Sequence, residues 1–344
     1  MMEAMESDVP LPPKGLKIGI IFNLKHGLQG EAPDLEAEYD SMQTVTAIEQ
    51  ILAKHRYSTA LLEADKSLPD ALEKADIGFA FNIAEGAGGR GREAQVPALL
   101  ELMGIPYTGS DASALSLALD KAMTKRLAAS SRVQTLAFHQ FSPNERIKIG
   151  RMTFPVIVKP NAEGSSKGIS EVCIAENAEQ LKTILEKNFR LYREDMLAEE
   201  FVTGREFTVG LLGNGENLRV FRPMEIVYLQ NTQGNYRVYS YGVKQDYTKY
   251  VRYECPAQLE PALERKMMSN AKRVFEMLGC RDCGRVDFRL SGDDKTPYFI
   301  EINPLPGLAP GYSDFPMLAE FCGMPYEKLI LSILSAAAMR HGMA

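Results

Sequence analysis

The sequence predicts a multi-domain protein of mixed α/β and α+β class, and three observations carry that expectation. The chain has 344 residues, more than one hydrophobic core usually serves, which points to two or three domains. Strand-like and helix-like periodicities alternate over residues 16–108, the pattern of a parallel-sheet α/β unit. From Asp111 onward the pattern changes to a smaller α+β block and then a longer strand-rich third.

The elements follow in order. Leu16–Phe22 (LKIGIIF) is a short buried strand, and Met42, Val45, Ile48 and Leu52 fall at helical spacing within residues 38–54. A strand at Tyr57–Leu62, a short helix near 69–74, a strand at Ile77–Ile83 and a helix over 92–103 complete the first unit, which Pro106-Tyr107-Thr108-Gly109 closes. A single helix is predicted over about 112–129, then strands at Val156–Lys159 and Ser170–Ile174 around the loop Asn161–Gly168. A helix at 178–187 and a strand at Met196–Phe201 follow. The last third reads as strands Glu206–Leu212 and Arg219–Leu229, a Tyr-rich stretch 236–253, a helix near 259–278, strands at 284–290 and 298–303, and a mostly helical 315–338.

Composition narrows the class without naming a function. Hydrophobic residues make up 45% of the chain, enough for a core that needs neither disulfides nor a structural metal. With 39 Lys+Arg against 45 Asp+Glu the net charge is −6, which argues against a nucleic-acid-coating surface but not against a few lysines that hold phosphates. The five cysteines are scattered, no disulfide framework is expected, and Cys280 and Cys283, alone in their C-x-x-C spacing, read as structural. Residues 1–15 are acidic and Pro-rich, a loose tail rather than a signal peptide. No apolar run reaches the roughly 18 residues of a membrane span, so a cytoplasmic protein without membrane partners is expected.

The strongest local signal is a hairpin. Arg285-Val286-Asp287-Phe288 and Phe299-Ile300-Glu301-Ile302-Asn303 both alternate polar and apolar residues. A hairpin symmetric about residue 294 sets Asp287 opposite Glu301 and puts Arg285, Asp287, Glu301 and Asn303 on one face. Two opposed carboxylates want a cation between them, and an all-oxygen set suits Mg²⁺; alternatively they pair with Arg285 and Arg289. A second signal is Lys159, leaving a buried strand just before Asn161–Gly168, where Gly164, Ser165, Ser166 and Gly168 could wrap phosphate oxygens. Its alternative is a plain hairpin turn, and the Walker spacing is absent. Gly86-Ala87-Gly88-Gly89-Arg90-Gly91 satisfies the dinucleotide fingerprint, with Asp111 downstream. It follows the third strand rather than the first, and leaves the lysine and carboxylate features unexplained. Lys121, Lys125 and Arg126 read as a solvated helix face, and the tyrosines of 228–253 as strand packing.

Taken in order, these motifs resemble the ATP-grasp carboxylate–amine ligases, most closely the D-alanine–D-alanine ligase family. The carrying residues are Tyr107–Ser110, Asp120-Lys121, Val158-Lys159-Pro160, Glu163–Gly168, Glu199–Glu206 (EEFVTGRE), Arg285–Phe288 and Glu301–Gly307 (EINPLPG), over roughly residues 16–330. The resemblance implies an ATP-grasp fold of three domains, 16–108, 109–202 and 203–344, with ATP between the last two. It implies that Lys121, Lys159 and Lys244 meet the nucleotide phosphates under the Gly164–Gly168 loop. Glu199, the backbone at Glu200–Val202, and Glu206 would hold adenine and ribose. Asp287, Glu301 and Asn303 would bind two Mg²⁺ ions, with Mn²⁺ as a substitute. Arg285 would stabilise the oxyanion of the tetrahedral intermediate, with Ser166 and Glu38 as further catalytic residues. Glu38 would bind the first substrate's amine, with Glu36 and Asp34 as alternatives. Gln245 stands where the family usually has a tyrosine that links the loop serine to that glutamate. The implied activity joins an amino acid or small carboxylate to an amine through an acylphosphate. D-Alanine is the default substrate, another amino acid or a peptide-like acceptor the alternative, and a nucleotide-binding module without turnover a further one. A homodimer is implied by the resemblance alone.

Overall fold

The computed structural model describes residues 10–27, 36–164 and 173–344. The first unit contains β1 (Lys17–Phe22), α1 (Met42–Lys54), β2 (Ser58–Glu63), α2 (Leu68–Ala75), β3 (Phe79–Asn82) and α3 (Gln95–Met103), the last entered through a 3₁₀ turn at Arg92–Ala94. Its three strands are parallel in the order β2-β1-β3, so β1 is the central strand, and Ile18, Ile20 and Ile21 are fully buried.

The predicted helix over 112–129 is two helices, α4 (Ala112–Leu119) and α5 (Lys121–Ser130). Asp120 breaks the run: its backbone is extended, and its side chain accepts a hydrogen bond from the Met123 amide to cap α5. Next come β4 (Phe138–Phe141), β5 (Val156–Pro160), β6 (Ile174–Ala175), α6 (Ala178–Tyr192) and β7 (Met196–Glu200). These strands form a four-stranded antiparallel sheet, β4-β7-β5-β6, with a core cluster that, among the described residues, draws on residues between Phe141 and Ala198, while Ile157 and Ile174 also pack with Phe201 and Val238. Most of the strand predicted at Ser170–Ile174 lies outside the described residues.

The last part contains β8 (Glu206–Leu212), β9 (Arg219–Val220), β10 (Met224–Tyr228), α7 (Tyr241–Gln245), α8 (Tyr247–Tyr250), β11 (Val251–Glu254), α9 (Pro261–Met277), β12 (Cys283–Leu290), β13 (Pro297–Asn303), α10 (Asp314–Phe321) and α11 (Tyr326–Arg340). Its sheet runs β11-β10-β8-β12-β13, with β9 beside β8. Two cores flank it. One includes α9 residues and Ala118 and Ala128 from α4 and α5. The other joins Phe315, Leu318 and Ile330 to Ile18, Val45 and Phe81 of the first unit. The Asp282 carboxylate ties the seam: it accepts from the Gly109 amide (2.8 Å) and pairs with Arg340 of α11 (2.8 Å). Cys280 and Cys283 are buried thiols in this region. Among the described residues no helix is long and apolar enough to cross a membrane.

Candidate active site

The hairpin β12–β13 forms with the predicted register: Arg285 faces Asn303 and Asp287 faces Glu301. Beyond that point the pairing slips, so that Phe288 faces Phe299 and Ile300 is the extra residue. A symmetric hairpin does not have this bulge, and its physical reason is packing. Phe299 must enter the core beside Phe288, at 6.4 Å between ring centroids, while Glu301 stays at the cleft. In an unbroken strand both would share a face.

Arg285 is locked between two carboxylates. Its Nε and Nη2 donate to both oxygens of Asp287 (3.0 and 2.9 Å), and its Nη1 to Asp314 Oδ2 (3.0 Å). Asn303 Nδ2 donates to Asp287 Oδ2 at 3.2 Å. Burial pushes the Asp287 carboxyl above its ordinary range, although Arg285 pulls the other way. Glu301 is half-buried, yet Lys121, Lys159 and Arg285 together hold its carboxyl down at about 2. The donor chemistry fits a hard cation such as Mg²⁺: two carboxylates and an amide oxygen on one face. Among the described residues no group of three or more His, Cys, Asp or Glu side chains is placed to hold a metal ion by itself, so water and nucleotide oxygens would have to complete the shell.

The lysines arrive from the other side of the cleft. Asp120 and Asn161 fasten the start of α5 to the end of β5. Asn161 Nδ2 donates to Asp120 Oδ1 (2.9 Å), and the Ala122 amide donates to Asn161 Oδ1 (2.9 Å). That junction brings Lys121 to 3.4 Å from Glu301. Lys159 pairs with Glu199 at 3.2 Å, and Lys125, with no exposed surface, pairs with the same carboxylate. The reading of Lys121, Lys125 and Arg126 as a solvated face is thus corrected for the two lysines, because α5 lies against β13 and Lys125 Nζ donates to the Phe299 carbonyl (3.1 Å). Burial pushes the Lys125 ammonium down to about 8. Lys159 is raised despite burial, because Glu199, Glu301 and Glu206 all favour its charge.

Two adjoining cavities share Lys244, Arg285, Glu301 and Asp314 in their walls. One is lined by Lys159, Glu199, Glu200, Val202, Glu206 and Asp287, and the other by Glu38, Lys121, Gly164 and Asn303. The amides of Glu200 and Phe201 donate to the carbonyls of Ala137 and Pro155. Glu206 accepts from the Tyr228 hydroxyl (2.7 Å), and burial raises its carboxyl. Burial also pushes the Lys244 ammonium down. Ser165, Ser166, Gly168 and Asp34 lie outside the described residues. Glu36 accepts the amides of His26 and Gly27 (2.8 Å each) and does not line the cavity. Glu38 does line it, but Arg92 (2.5 and 3.1 Å) and the Gly164 amide bind its oxygens.

Sequence reasoning missed Asp314, which is 2% exposed and also accepts from the Tyr253 hydroxyl (3.0 Å). The tyrosines read as strand packing therefore hold acids of the site through their hydroxyls. The Gly86–Gly91 loop binds its own protein: the Gly86 amide donates to Asn23 Oδ1 (2.8 Å) and the Ala87 amide to Gln95 Oε1 (2.9 Å). A Cβ at Gly86 would stand 2.0 Å from the Arg92 carbonyl oxygen, so this glycine serves packing.

An antiparallel four-stranded sheet facing a larger one across a cleft of lysines and carboxylates is the architecture of the ATP-grasp ligases. The family model described as "D-ala D-ala ligase C-terminus" matches residues 133–335. A D-alanine–D-alanine ligase from Bordetella avium is 35% identical over 278 residues, covering 80% of this chain and 84% of that protein. One from Syntrophotalea carbinolica is 34% identical, covering 89% and 94%. The crystal structure of the Bacillus anthracis D-alanine–D-alanine ligase complexed with ATP superposes with a TM-score of 0.74 at 22% identity, covering 96% of this chain and all of that one. The chain belongs to the D-alanine–D-alanine ligase family, and it is an ATP-dependent enzyme that forms C–N bonds.

Proposed function

We propose that this enzyme joins the carboxyl group of one amino acid to the amino group of another, with D-alanine as the reference substrate for both roles. The observation that carries the reading is the shared wall of the two cavities, where Arg285, Glu301 and Lys244 face the nucleotide and substrate sides together. ATP would occupy the cavity of Lys159, Glu199 and Glu206. The Val202 amide has no protein acceptor among the described residues, which supports its use against an adenine edge.

The chemistry has two steps. A carboxylate oxygen of the first substrate attacks the γ-phosphorus of ATP, ADP leaves, and an acylphosphate forms. The second substrate's amine then attacks the carbonyl carbon, and phosphate departs to leave the amide. Lys121, Lys159 and Lys244 offset charge on the phosphates, and Arg285, held rigidly by Asp287 and Asp314, is positioned to meet the oxyanion. Asp287, Glu301 and Asn303 would hold Mg²⁺, whose chemistry is charge neutralisation of the transferring phosphoryl group. The three sheets support a division of the chain at 16–108, 109–202 and 203–344, although α4 and α5 lean on the third sheet.

The test is ADP release with D-alanine, with mass spectrometry of the product. A dipeptide mass that appears with ADP is expected. Tight Mg·ATP binding without ADP release for any amino acid would refute the reading. A second reading, a different amino acid as carboxyl donor, is favoured by the acidic wall beside Glu38.

A further inference from the structure

The wall that the first unit gives to the substrate cavity carries four carboxylates: Glu38, Asp40, Glu85 and Glu93. The cations nearby are largely committed. Arg92 spends its donors on both oxygens of Glu38 and on the Ala162 carbonyl (2.6 Å), with Glu163 at 3.3 Å. Lys121 serves Glu301 and the Glu163 carbonyl. Burial pushes the Asp40 carboxyl up to about 7, although it has the Thr44 hydroxyl as a hydrogen-bond partner and Lys25 nearby.

That leaves Glu85 and Glu93. Glu93 is only 8% exposed, lines the cavity, and makes no hydrogen bond or ion pair with any described residue. Glu85 lines the same wall, also without a partner among the described residues. Burial, then repulsion from Glu38, pushes the Glu93 carboxyl up to about 7. Burial and repulsion from Glu93 and Glu38 push Glu85 well above its ordinary value. Arg92 favours the charge of both carboxyls and Lys121 that of Glu93, but burial and mutual repulsion outweigh them, so an ammonium brought beside either carboxylate would be stabilised there. A simple amino acid brings one ammonium.

We propose that the carboxyl-donor substrate is a diamino acid, with Glu85 and Glu93 receiving its two ammonium groups. The inference rests on the ligase reading above and names the substrate class of that site. Glu38, matched by Arg92, then serves to fasten the chain at Gly164 rather than to select the substrate.

The experiment measures ADP release by the full-length enzyme with Mg·ATP and, as donors, alanine, diaminopropionate, diaminobutyrate and ornithine in both D and L forms. Diaminopropionate is alanine with an ammonium on its methyl carbon, so it isolates the added charge. The expected result is a kcat/KM for at least one diamino acid about tenfold or more above that for D-alanine, the value of one pKa unit of differential interaction. Glu93→Gln and Glu85→Gln should each shrink that ratio about tenfold; a merely structural loss would lower both substrates equally. Preference of the wild-type enzyme for D-alanine over every diamino acid would overturn the proposal, as would a ratio unchanged in both variants. No ADP release with any amino acid, despite Mg·ATP binding, would instead refute the ligase reading and take the inference with it.

Discussion

Glu199→Gln should destabilise the protein strongly, and in a pH-dependent way. Glu199 is 1% exposed and is the carboxylate partner of two buried lysines, Lys125 and Lys159. At the 3.2 Å separation of the Lys159 pair, an effective dielectric near 20 gives about 5 kcal/mol of gross attraction. The desolvation of all three groups offsets most of it, but removal of the shared anion leaves two buried ammonium groups without their ion-pair partner. The net loss should be about 3–5 kcal/mol at pH 7. Burial already pushes the Lys125 ammonium down to about 8, and without Glu199 it is less favoured still. A lysine whose folded pKa lies below its unfolded one binds fewer protons when folded, so stability rises with pH between the two values. The deficit of the variant should therefore be smaller at pH 9 than at pH 7. Urea denaturation of both proteins at the two pH values measures this. A loss below about 1 kcal/mol at pH 7, typical of exposed pairs, or a deficit that does not shrink at pH 9, would refute the reasoning.

Three further outcomes are expected. Glu301→Ala and Asp287→Asn should each abolish ADP release at ordinary Mg²⁺; near-normal turnover in either would remove the metal assignment. Asp314→Asn sets an amide beside Arg285 Nη1 and should lower kcat about tenfold or more while leaving the KM for ATP nearly unchanged, since one charge-assisted hydrogen bond is worth about 1.5–3 kcal/mol; steady-state kinetics decides it. Glu93→Gln should stabilise the ligand-free protein above pH 7. The raised carboxyl favours the fold below about 4.5 and loses that contribution as pH rises through about 7, so thermal unfolding of the wild type should drop between pH 5 and pH 8 more steeply than that of the variant.

The hairpin was legible because its signal is local: two-residue alternation and a short turn are enough to set Asp287 against Glu301. The bulge beside it was not, since Phe299 answers to a core assembled from distant parts of the chain. The break at Asp120 was hidden for the same reason, in an apolar helical run whose capping aspartate is fixed by Asn161 at the distant end of β5. Lys125 looked like solvent-facing charge until β13 and Glu199 covered it. Asp314 lies in a run with no motif, and only the arrival of Arg285 and Tyr253 reveals its part. Local chemistry could be read where partners are neighbours in sequence, and burial could not where they are not.

The two cores that flank the third sheet have a mechanical consequence. Helix α11, through its core contacts and the bond from Arg340 to the Tyr107 carbonyl, welds the first unit to the third, whereas the β4-β7-β5-β6 sheet keeps a core of its own on one face. The first and third units thus make a single anvil, and the piece that carries Lys159 and Glu199 is the jaw. Any opening of the nucleotide cavity would therefore leave the first and third units together and would have to bend the chain where Asp120 meets Asn161 and where β7 gives way to β8.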